Sequence, residues 1–298
     1  MNLTFKTPAK INLGLHILHK REDGYHELET LLQMVSLYDE ITLESRPSGI
    51  ELECGAPGIP TDSTNLAVQA AQLLRNAFPD RVSGVRIRLV KHIPSGAGLG
   101  GGSGNAAGVL MGLNRLWDLR LSRRDLVPLA ARLGSDVPFF LTAPCAIGRG
   151  RGEILDPIQT TVKFKVLLVF PGFPIATPWV YRSLNLKLTK RENNISILKK
   201  FLAESKIACL GSRLYNDLEA VVCQRYPEIQ AIKNDLLAQR ANGVLLSGSG
   251  SAVFGIFDNP EQAKLAYANF NPRGGGLFLT ETITSYSEFL PDEMLNYP

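Results

Sequence analysis

The stretch HIPSGAGLGGGSGNAAG, residues 92–108, decides how the rest of this sequence is interpreted. Five of the seven residues from Gly96 to Gly102 are glycine. A tight turn needs one or two glycines, and each further glycine costs conformational entropy on folding. A glycine-rich loop that leads into a helix exposes backbone N–H groups at the positive end of the helix dipole, where anions bind. We therefore predict that a phosphate group approaches this backbone.

The same loop contains a literal dinucleotide-binding pattern. Gly96, Gly98 and Gly101 match G-x-G-x-x-G after a predicted strand and before a predicted helix. Two features disfavour a dinucleotide. The preceding strand, GVRIRLV, alternates with arginines, whereas a buried parallel strand is nearly all apolar, and no strand-borne acid follows about 20 residues later. No G-K-[ST] follows the glycines, which excludes a P-loop. The pattern favours a polyphosphate.

A second loop of small residues, SGSGSAVFG, covers residues 247–255 and lies between apolar runs. By itself it indicates a turn between two elements of secondary structure. If it lay beside the first loop, the two loops together would enclose one polyphosphate.

Two charged residues each have a structural and a functional interpretation. Asp136 in GSDVPFFL is either a helix cap or a carboxylate at the edge of an apolar pocket, able to orient or deprotonate a hydroxyl. Lys10 in PAKINLGL is either a solvent-facing residue of an alternating strand or the partner of Asp136. The sequence alone leaves both alternatives open.

Composition limits the class of protein. With 298 residues, the chain has the length of about two domains. The net charge is +4 without a basic cluster interleaved with aromatic residues, so we expect no nucleic-acid partner. The four cysteines form no CxxC pair and the histidines show no metal-binding spacing, which argues against a zinc ribbon, a disulfide framework or a protein-built metal site. No signal peptide or membrane-spanning run is recognised, so we expect a cytoplasmic protein without a membrane partner.

The coarse order of elements predicts an α+β protein. Residues 3–18 and 37–45 alternate apolar and polar side chains, which predicts half-buried strands. Residues 64–78 predict an amphipathic helix capped by Ser63 or Thr64, and residues 105–117 predict a second helix. Ser122 and Asp125 are spaced as a capping box that opens a third. A strongly β segment follows a glycine-rich run, so we place a domain boundary near residue 155.

Several segments resemble a known superfamily when they are taken together. PAKINLGLHI, PSGAGLGGGSGNAAG and LSGSGSAVFGIF resemble the three motifs of the GHMP kinases, named for galactokinase, homoserine kinase, mevalonate kinase and phosphomevalonate kinase. The run from Ala9 to Ile41, with GSDVPFFL, GRGRGE and YNDLE, is similar to one family among them, the 4-diphosphocytidyl-2-C-methyl-D-erythritol kinases. The resemblance extends through nearly all of the chain in the same motif order.

The resemblance implies a fold and a reaction. It implies a two-domain GHMP kinase architecture, with a ribosomal-protein-S5-domain-2-like nucleotide domain over residues 1–155 and a ferredoxin-like substrate domain over residues 156–298. The implied reaction transfers the ATP γ-phosphate to the 2-hydroxyl of a cytidine-diphosphate methylerythritol, a step of the non-mevalonate isoprenoid pathway. Another GHMP kinase, of the homoserine or mevalonate type, is the alternative. A monomer and a homodimer are both compatible with the sequence.

The resemblance also implies the site. Asp136 would be the base and Lys10 its partner. For the substrate, Tyr25 and Tyr181 would stack on the cytosine and His26 would bond its edge. The remaining substrate-binding residues would be Asn12, Thr177, Gly248 and Ser249. The ATP-binding residues would be Asn65 and Lys91 near the adenine, and Pro94, Ser95, Gly96, Ala97, Gly98, Leu99, Gly100, Gly101, Gly102 and Ser103 along the loop.

Magnesium is the cofactor implied beside ATP. We expect it to be held largely through phosphates and water, because Mg²⁺ keeps several of its waters in such sites. The family often has two serines after the glycines, whereas this chain has Ser103 and Gly104. Any protein ligand on the loop would therefore be Ser103. If Tyr25, His26 and Tyr181 do not converge in the structure, the cytidine substrate is excluded.

Overall fold

The computed structural model of the protein describes residues 2–184, 195–272 and 274–295. These residues form two β-sheets with helices packed on them, which confirms the α+β class. The strands in chain order are β1 (Asn2–Lys20), β2 (His26–Arg46), β3 (Ile50–Glu53), β4 (Gly84–Val90), β5 (Cys145–Arg149), β6 (Ile154–Pro157), β7 (Lys165–Phe170), β8 (Tyr215–Asn216), β9 (Gly243–Leu246), β10 (Val253–Phe257) and β11 (Gly276–Glu281).

Helices are distributed along the whole chain. In chain order they are α1 (Leu66–Ala77), α2 (Gly101–Leu116), α3 (Arg123–Ala131), α4 (Phe139–Thr142), α5 (Thr177–Ser183), α6 (Ile195–Ala203), α7 (Ile207–Gly211), α8 (Glu219–Arg225), α9 (Pro227–Ala238), α10 (Pro260–Asn269) and α11 (Asp292–Leu295). No helix among the described residues has both the length and the apolar character needed to cross a bilayer.

The two sheets divide most of the strands between the halves of the chain. The seven-stranded sheet has the order β3-β4-β2-β1-β8, with β5 added on β2 and β6 on β5. The four-stranded sheet has the order β11-β7-β10-β9 and is antiparallel throughout. One short strand crosses this division, since β8 pairs in parallel with Gly14 and Leu15 of β1.

β1 is more deeply buried than an alternating strand. Only Asn2–Lys6 alternates between exposed and buried residues, while Thr7–Ile17 is buried on both faces. Leu3 and Phe5 pack in a core with α2, whereas Ala9, Ile11 and Leu13 pack in a second core with the four-stranded sheet and α6. The prediction of a half-buried strand is wrong for this part of β1, because elements from the second half of the chain cover its other face.

Helix α2 begins earlier than predicted and lies unusually close to the sheet. It starts at Gly101 rather than at residue 105. Gly104, Gly108 and Gly112 recur every fourth residue and face β1 and β2. A Cβ at Gly108 would lie 2.4 Å from Thr7 Cγ2, and one at Gly112 would lie 2.6 Å from Leu43 Cδ1. These glycines therefore allow the helix axis to approach the strands.

One of the two predicted helix caps is present in the structure and the other is not. The predicted capping box is confirmed, because Ser122 N–H donates to Asp125 Oδ2 (2.9 Å) and Asp125 N–H donates to Ser122 Oγ (3.3 Å). The predicted cap of α1 at Ser63 or Thr64 is wrong. Asn65 is the N-cap, and its Oδ1 accepts the N–H of Ala67 at 2.9 Å.

The C-terminal part of the described chain returns to the first core. Ile283 N–H donates to Met34 O (3.0 Å), and Gln33 Nε2 donates to Ile283 O (2.8 Å). Ile283, Phe289, Leu290 and Met294 are buried with α2 and β2. The boundary near residue 155 stays a prediction. It falls within β6, the last strand of the larger sheet before β7 opens the smaller one.

We predict that Gly108→Ala lowers the free energy of unfolding by about 1–3 kcal/mol, the usual range for overpacking a core. The added methyl group would lie 2.4 Å from Thr7 Cγ2, and the better helix propensity of alanine returns at most about 1 kcal/mol. Urea denaturation followed by circular dichroism measures the change.

Gly102→Ala is the matched control for that experiment. The nearest atom to a Cβ at Gly102 is Leu66 Cδ1, at 3.8 Å, so we expect this variant to be at least as stable as the wild type. Equal destabilisation of the two variants would contradict the close packing of α2.

Candidate active site

A cavity of about 730 Å³ lies between the larger sheet and two loops. We call residues 94–103 the glycine loop and residues 247–251 the serine loop. The predicted site residues that line the cavity are Lys10, Asn12, Tyr25, His26, Gly98, Gly100, Ser103, Asp136, Thr177, Tyr181, Gly248 and Ser249. These residues come from six separate segments of the chain, so the fold brings most of the predicted site together.

The glycine loop is built from alternating left-handed glycines and buried side chains. Gly96, Gly98 and Gly100 have φ angles of +66°, +76° and +70°, a region that favours glycine. Ala97 and Leu99 lie between them and are buried in the core of the smaller sheet. Here the sequence pattern follows from geometry, since the glycines turn the backbone and the intervening side chains anchor it.

The carbonyl groups of this loop are held by the rest of the protein. Gly96 O accepts Ile175 N–H (3.3 Å), and Ala97 O accepts Ala252 N–H (3.0 Å). Gly98 O accepts the hydroxyl of Ser247 (2.9 Å), and Leu99 O accepts Lys10 N–H (2.9 Å). The donors come from three segments of the chain, namely β1, the residues before α5 and the two ends of the serine loop, so the peptide planes of the glycine loop are oriented from outside.

The N–H groups of the glycine loop, unlike its carbonyl groups, have no hydrogen-bond partner among the described residues. Within the described residues, no N–H from Gly96 to Ser103 donates a hydrogen bond to the protein. The last of them belong to the first turn of α2, whose N–H groups have no partner inside the helix. Successive free N–H groups at a helix N-terminus bind anions. The geometry therefore agrees with the phosphate site that the glycines predict.

The serine loop packs directly against the glycine loop. It joins β9 to β10, so the prediction of a turn between two elements is confirmed. A Cβ at Gly98 would lie 2.1 Å from Ser247 O, which shows how closely the two backbones approach. A Cβ at Gly248 would lie 3.4 Å from Lys10 Nζ. The absence of a side chain at Gly248 thus leaves the space beside the lysine ammonium open.

Lys10, Asn12 and Asp136 form a polar cluster at one end of the cavity. Lys10 Nζ donates to Asn12 Oδ1 at 2.7 Å and lies 3.6 Å from Asp136 Oδ2. The Lys10 side chain is only 5% exposed, whereas that of Asp136 is 41% exposed. The solvent-facing interpretation of Lys10 is therefore wrong. The helix-cap interpretation of Asp136 is also wrong, because Pro138 occupies the N-cap of α4.

A hydrogen-bond relay orients the amide of Asn12. Its Nδ2 donates to Thr30 Oγ1 (2.9 Å), whose hydroxyl donates to Gly14 O (2.7 Å). Asn12 Oδ1 is thereby directed toward Lys10 Nζ. Thr30 lines the cavity as well. Thr30 was not predicted as a site residue, because a threonine in a predicted strand has no local signal of such a role.

Aromatic side chains form the other end of the cavity. The rings of His26 and Tyr181 lie 5.3 Å apart, inclined by 37°. Tyr25 is 56% exposed, and the Arg151 guanidinium lies 4.8 Å above its ring. All three predicted substrate residues line the same cavity, so they converge as the cytidine interpretation requires.

His26 and Tyr181, the two half-buried members of this aromatic end, are neutral near pH 7. Burial and the nearby charge of Lys20 lower the pKa of His26 below its usual value. Burial and the charge of Asp136 raise the pKa of Tyr181. A neutral imidazole offers one donor and one acceptor to a ligand. The hydroxyls of Thr177 and Ser249, which are hydrogen-bonded at 2.7 Å, add further polar groups beside these rings.

Lys91 has a different environment from the one expected for an adenine-binding residue. Its ammonium forms a short ion pair with Asp39 and donates to Asn105 Oδ1 (3.2 Å). The carboxylate of Asp39 is fully buried and also accepts the N–H groups of His92 (2.8 Å) and Ile93 (2.9 Å). Asp39 also accepts Asn105 Nδ2 of α2 (2.9 Å), so it fixes the end of β4, the approach to the glycine loop and α2 at one point.

The other residues predicted for ATP lie outside the cavity wall. Asn65 is engaged as the N-cap of α1. The predicted residues that do not line the cavity are Asn65, Lys91, Pro94, Ser95, Gly96, Ala97, Leu99, Gly101 and Gly102. Their part in nucleotide binding stays a prediction.

The pair Asn216–Asp217 positions the serine loop and was missed as a functional feature. Asn216 Nδ2 donates to Leu246 O (2.9 Å) and Gly248 O (2.7 Å). Asp217 Oδ2 accepts Ile17 N–H (2.8 Å) and lies 2.7 Å from His16 Nδ1. This pair therefore ties the serine loop to β1. The segment YNDLE was noted only for its resemblance, and nothing in its local pattern indicates these contacts.

Family models match both halves of the chain. Residues 65–143 match the model described as GHMP kinases N terminal domain, and residues 198–275 match the one described as GHMP kinases C terminal. A curated relative from Acetivibrio thermocellus, named 4-diphosphocytidyl-2-C-methyl-D-erythritol kinase, is 39% identical over 282 residues. That alignment covers 95% of this chain and 99% of the relative.

Solved structures agree with these matches. A crystal structure of 4-(cytidine 5'-diphospho)-2C-methyl-D-erythritol kinase superposes with a TM-score of 0.81 at 37% identity, covering 95% of this chain and 99% of that one. A mevalonate kinase of L. major in complex with R-mevalonate superposes with a TM-score of 0.72 at 17% identity, covering 94% and 95% of the two chains. The second likeness shows the shared fold alone.

We predict that Asp39→Asn lowers the free energy of unfolding by about 3–5 kcal/mol, because it leaves the buried Lys91 ammonium without a counter-charge. Removal of that ammonium as well, in the double variant with Lys91→Met, should restore part of the loss. Urea denaturation of the two variants measures the coupling between the residues.

Glu51→Gln is the control, since Glu51 forms exposed ion pairs with Arg46 and Arg86. Exposed pairs contribute at most about 1 kcal/mol. A single variant Asp39→Asn as stable as Glu51→Gln would contradict the anchoring role of Asp39.

Proposed function

The chain belongs to the GHMP kinases and, within them, to the 4-diphosphocytidyl-2-C-methyl-D-erythritol kinases, and we propose that it transfers the γ-phosphate of ATP to the 2-hydroxyl of 4-diphosphocytidyl-2-C-methyl-D-erythritol. The observation that carries this proposal is the single cavity that joins a loop of free N–H groups, the Lys10–Asp136 pair and an aromatic end at Tyr25, His26 and Tyr181. This is the step of the non-mevalonate isoprenoid pathway that the sequence resemblance implies.

The glycine loop is the proposed binding site for the triphosphate of ATP. Its free N–H groups and the dipole of α2 supply positive potential without a bulky side chain. The loop borders the Lys10 ammonium, since a Cβ at Gly100 would lie 2.9 Å from Lys10 Cγ. A phosphate held by the loop therefore lies next to a buried lysine that still has donors to offer.

Phosphoryl transfer depends mainly on positioning and on stabilisation of charge. In the proposed step, the 2-hydroxyl oxygen forms a bond to the γ-phosphorus while the bond from that phosphorus to the β-phosphate oxygen breaks, and ADP leaves. Asp136 orients the hydroxyl and receives its proton. A carboxylate is a weak base, so we expect the proton to move late, as the new bond forms. Lys10 stabilises the charge on the transferred group.

The opposite end of the cavity is the proposed site of the cytidine. Tyr25 and Tyr181 are placed to stack on the cytosine, with neutral His26 at its edge. Thr177 and Ser249 contribute hydroxyls, and Gly248 leaves room beside Lys10 and Asn12. In this arrangement Asn12 positions the methylerythritol hydroxyl. We propose residues 1–155 as the nucleotide domain and residues 156–298 as the substrate domain, with both contributing to the cavity wall.

The donor set fits a magnesium ion that is bound mostly through phosphate and water. Among the described residues, no three His, Cys, Asp or Glu side chains lie together as a metal-binding group. One carboxylate, Asp136, lines the cavity, and Ser103 supplies the one hydroxyl of the glycine loop that does so. Mg²⁺ accepts such a sparse protein contribution, so these two oxygens are the ones we propose beside it. The ion would neutralise charge on the β- and γ-phosphates.

A coupled assay for ADP tests the proposed reaction. The protein is incubated with ATP, Mg²⁺ and 4-diphosphocytidyl-2-C-methyl-D-erythritol, with mevalonate, homoserine and simple sugars as parallel acceptors. We expect ADP release that depends on the cytidylyl substrate alone. Release with mevalonate or homoserine and none with the cytidylyl compound would overturn the proposal in favour of another GHMP kinase reaction.

We predict that Asp136→Ala lowers kcat by at least about 10²–10⁴-fold, the usual contribution of general base catalysis, and leaves the Kd for ATP within a few-fold of wild type. Asp136→Asn tests the same group with its shape retained. Steady-state kinetics and calorimetric titration with ATP provide the two numbers.

Asp258→Asn, an exposed aspartate outside the cavity, is the control and should behave as wild type. Turnover of Asp136→Ala within a few-fold of wild type would exclude this residue as the base.

A further inference from the structure

The wall of the cavity carries an excess of positive charge. Four cationic residues line it, Lys10, Lys20, Arg151 and Arg182, against the single carboxylate of Asp136. Lys10 lies 3.6 Å from Asp136. Arg151 Nε lies 3.6 Å from Glu153 Oε1, and its guanidinium covers the ring of Tyr25. Two of the four cations therefore already have an acidic neighbour in the protein.

Lys20 and Arg182 are the two that are not engaged. In the part of the chain that the structure describes, neither forms an ion pair or a side-chain hydrogen bond. Both are exposed to solvent, so neither charge is needed to compensate a buried acid. Arginine and lysine that line a cavity without a partner are the groups expected to meet an anionic ligand.

The position of these two residues limits which anion they meet. Lys20 pairs with His26 in the register of β1 and β2. The ring of His26 lies 5.3 Å from Tyr181, and Arg182 follows Tyr181 in α5. Burial and the nearby charge of Lys20 both lower the pKa of His26. Both cations therefore flank the aromatic end of the cavity, and the glycine loop and Lys10 form the other end.

We propose that Lys20 and Arg182 bind the diphosphate of the cytidine-diphosphate substrate and set its preference over cytidine and cytidine monophosphate. This inference rests on the proposed function. In that substrate the diphosphate joins the cytidine to the reacting alcohol, so it must pass between the aromatic end and Lys10. Its negative charges then lie beside the two cations that have no protein partner.

Titration of truncated ligands tests this assignment without turnover. Cytidine, cytidine monophosphate and cytidine diphosphate are titrated calorimetrically into wild type, Lys20→Gln and Arg182→Gln. We expect each substitution to raise the Kd for cytidine diphosphate by about tenfold, the effect of losing one charge-assisted hydrogen bond. The Kd for cytidine should change by less than about twofold. Raising the KCl concentration should weaken the binding of cytidine diphosphate more in wild type than in either variant.

Matched controls come from exposed cations away from the cavity. Lys199→Gln on α6 and Arg213→Gln after α7 remove the same charges without touching the cavity wall. We expect both to bind all three ligands as wild type does. If the two control substitutions weaken the binding of cytidine diphosphate as much as the test substitutions do, net charge rather than direct contact is responsible. That result would overturn the inference.

Two further results would overturn it. One is unchanged binding of cytidine diphosphate in both test variants, and the other is a loss that appears for ATP rather than for the cytidine ligand. Wild-type turnover of the cytidylyl substrate is assayed separately, so the proposed kinase activity stands or falls independently. In the variants, the loss should appear in KM for the cytidylyl substrate rather than in kcat.

A spectroscopic readout checks the placement of Lys20. Because the Lys20 charge lowers the pKa of His26, Lys20→Gln should raise the pKa of that histidine in an NMR titration. Lys199→Gln should leave it unchanged. An unaltered His26 pKa in Lys20→Gln would place the ammonium too far from the aromatic end to act there, and would also overturn the inference.

Discussion

The site depends on the orientation of four peptide groups. The carbonyls of residues 96–99 each accept a hydrogen bond from outside the loop, including those donated by Lys10 N–H in β1 and by Ala252 N–H just before β10. A peptide N–H points opposite to its carbonyl, so a fixed carbonyl also fixes the direction of the next N–H. Both halves of the chain supply these bonds. The conformation of the proposed anion site is therefore a property of the assembled fold and not of the loop alone.

Two buried lysines show how the same residue type serves different purposes. Lys91 has a fully buried carboxylate and an amide oxygen as partners. These contacts hold the end of β4, the glycine loop and α2 together. Lys10 has an amide oxygen at 2.7 Å and a carboxylate at 3.6 Å that is itself partly exposed. An ammonium has three donors, so Lys10 retains the capacity to meet a ligand. The difference lies in the partners and not in the depth of burial.

Local sequence patterns were sufficient to predict features that depend only on neighbouring residues. The glycines at 96, 98 and 100 predicted the loop, and the spacing of Ser122 and Asp125 predicted the start of α3. They were insufficient where the meaning of a residue depends on distant partners. Asp39 resembles an ordinary polar residue of a strand, yet its partners Lys91 and Asn105 lie 52 and 66 residues away. At the start of α1, Ser63, Thr64 and Asn65 are all competent caps, and only the final path of the chain selects Asn65.

The return of the C-terminal segment links the order of synthesis to the order of folding. Ile283, Phe289, Leu290 and Met294 complete the core formed by β2 and α2, and the hydroxyl of Tyr286 donates to Phe140 O (3.1 Å), four residues after Asp136. A ribosome produces these side chains long after the strands that they cover. During translation, the first half of the chain therefore exposes an unfinished apolar face until the smaller sheet has been made, and the segment that carries Asp136 receives its final support last.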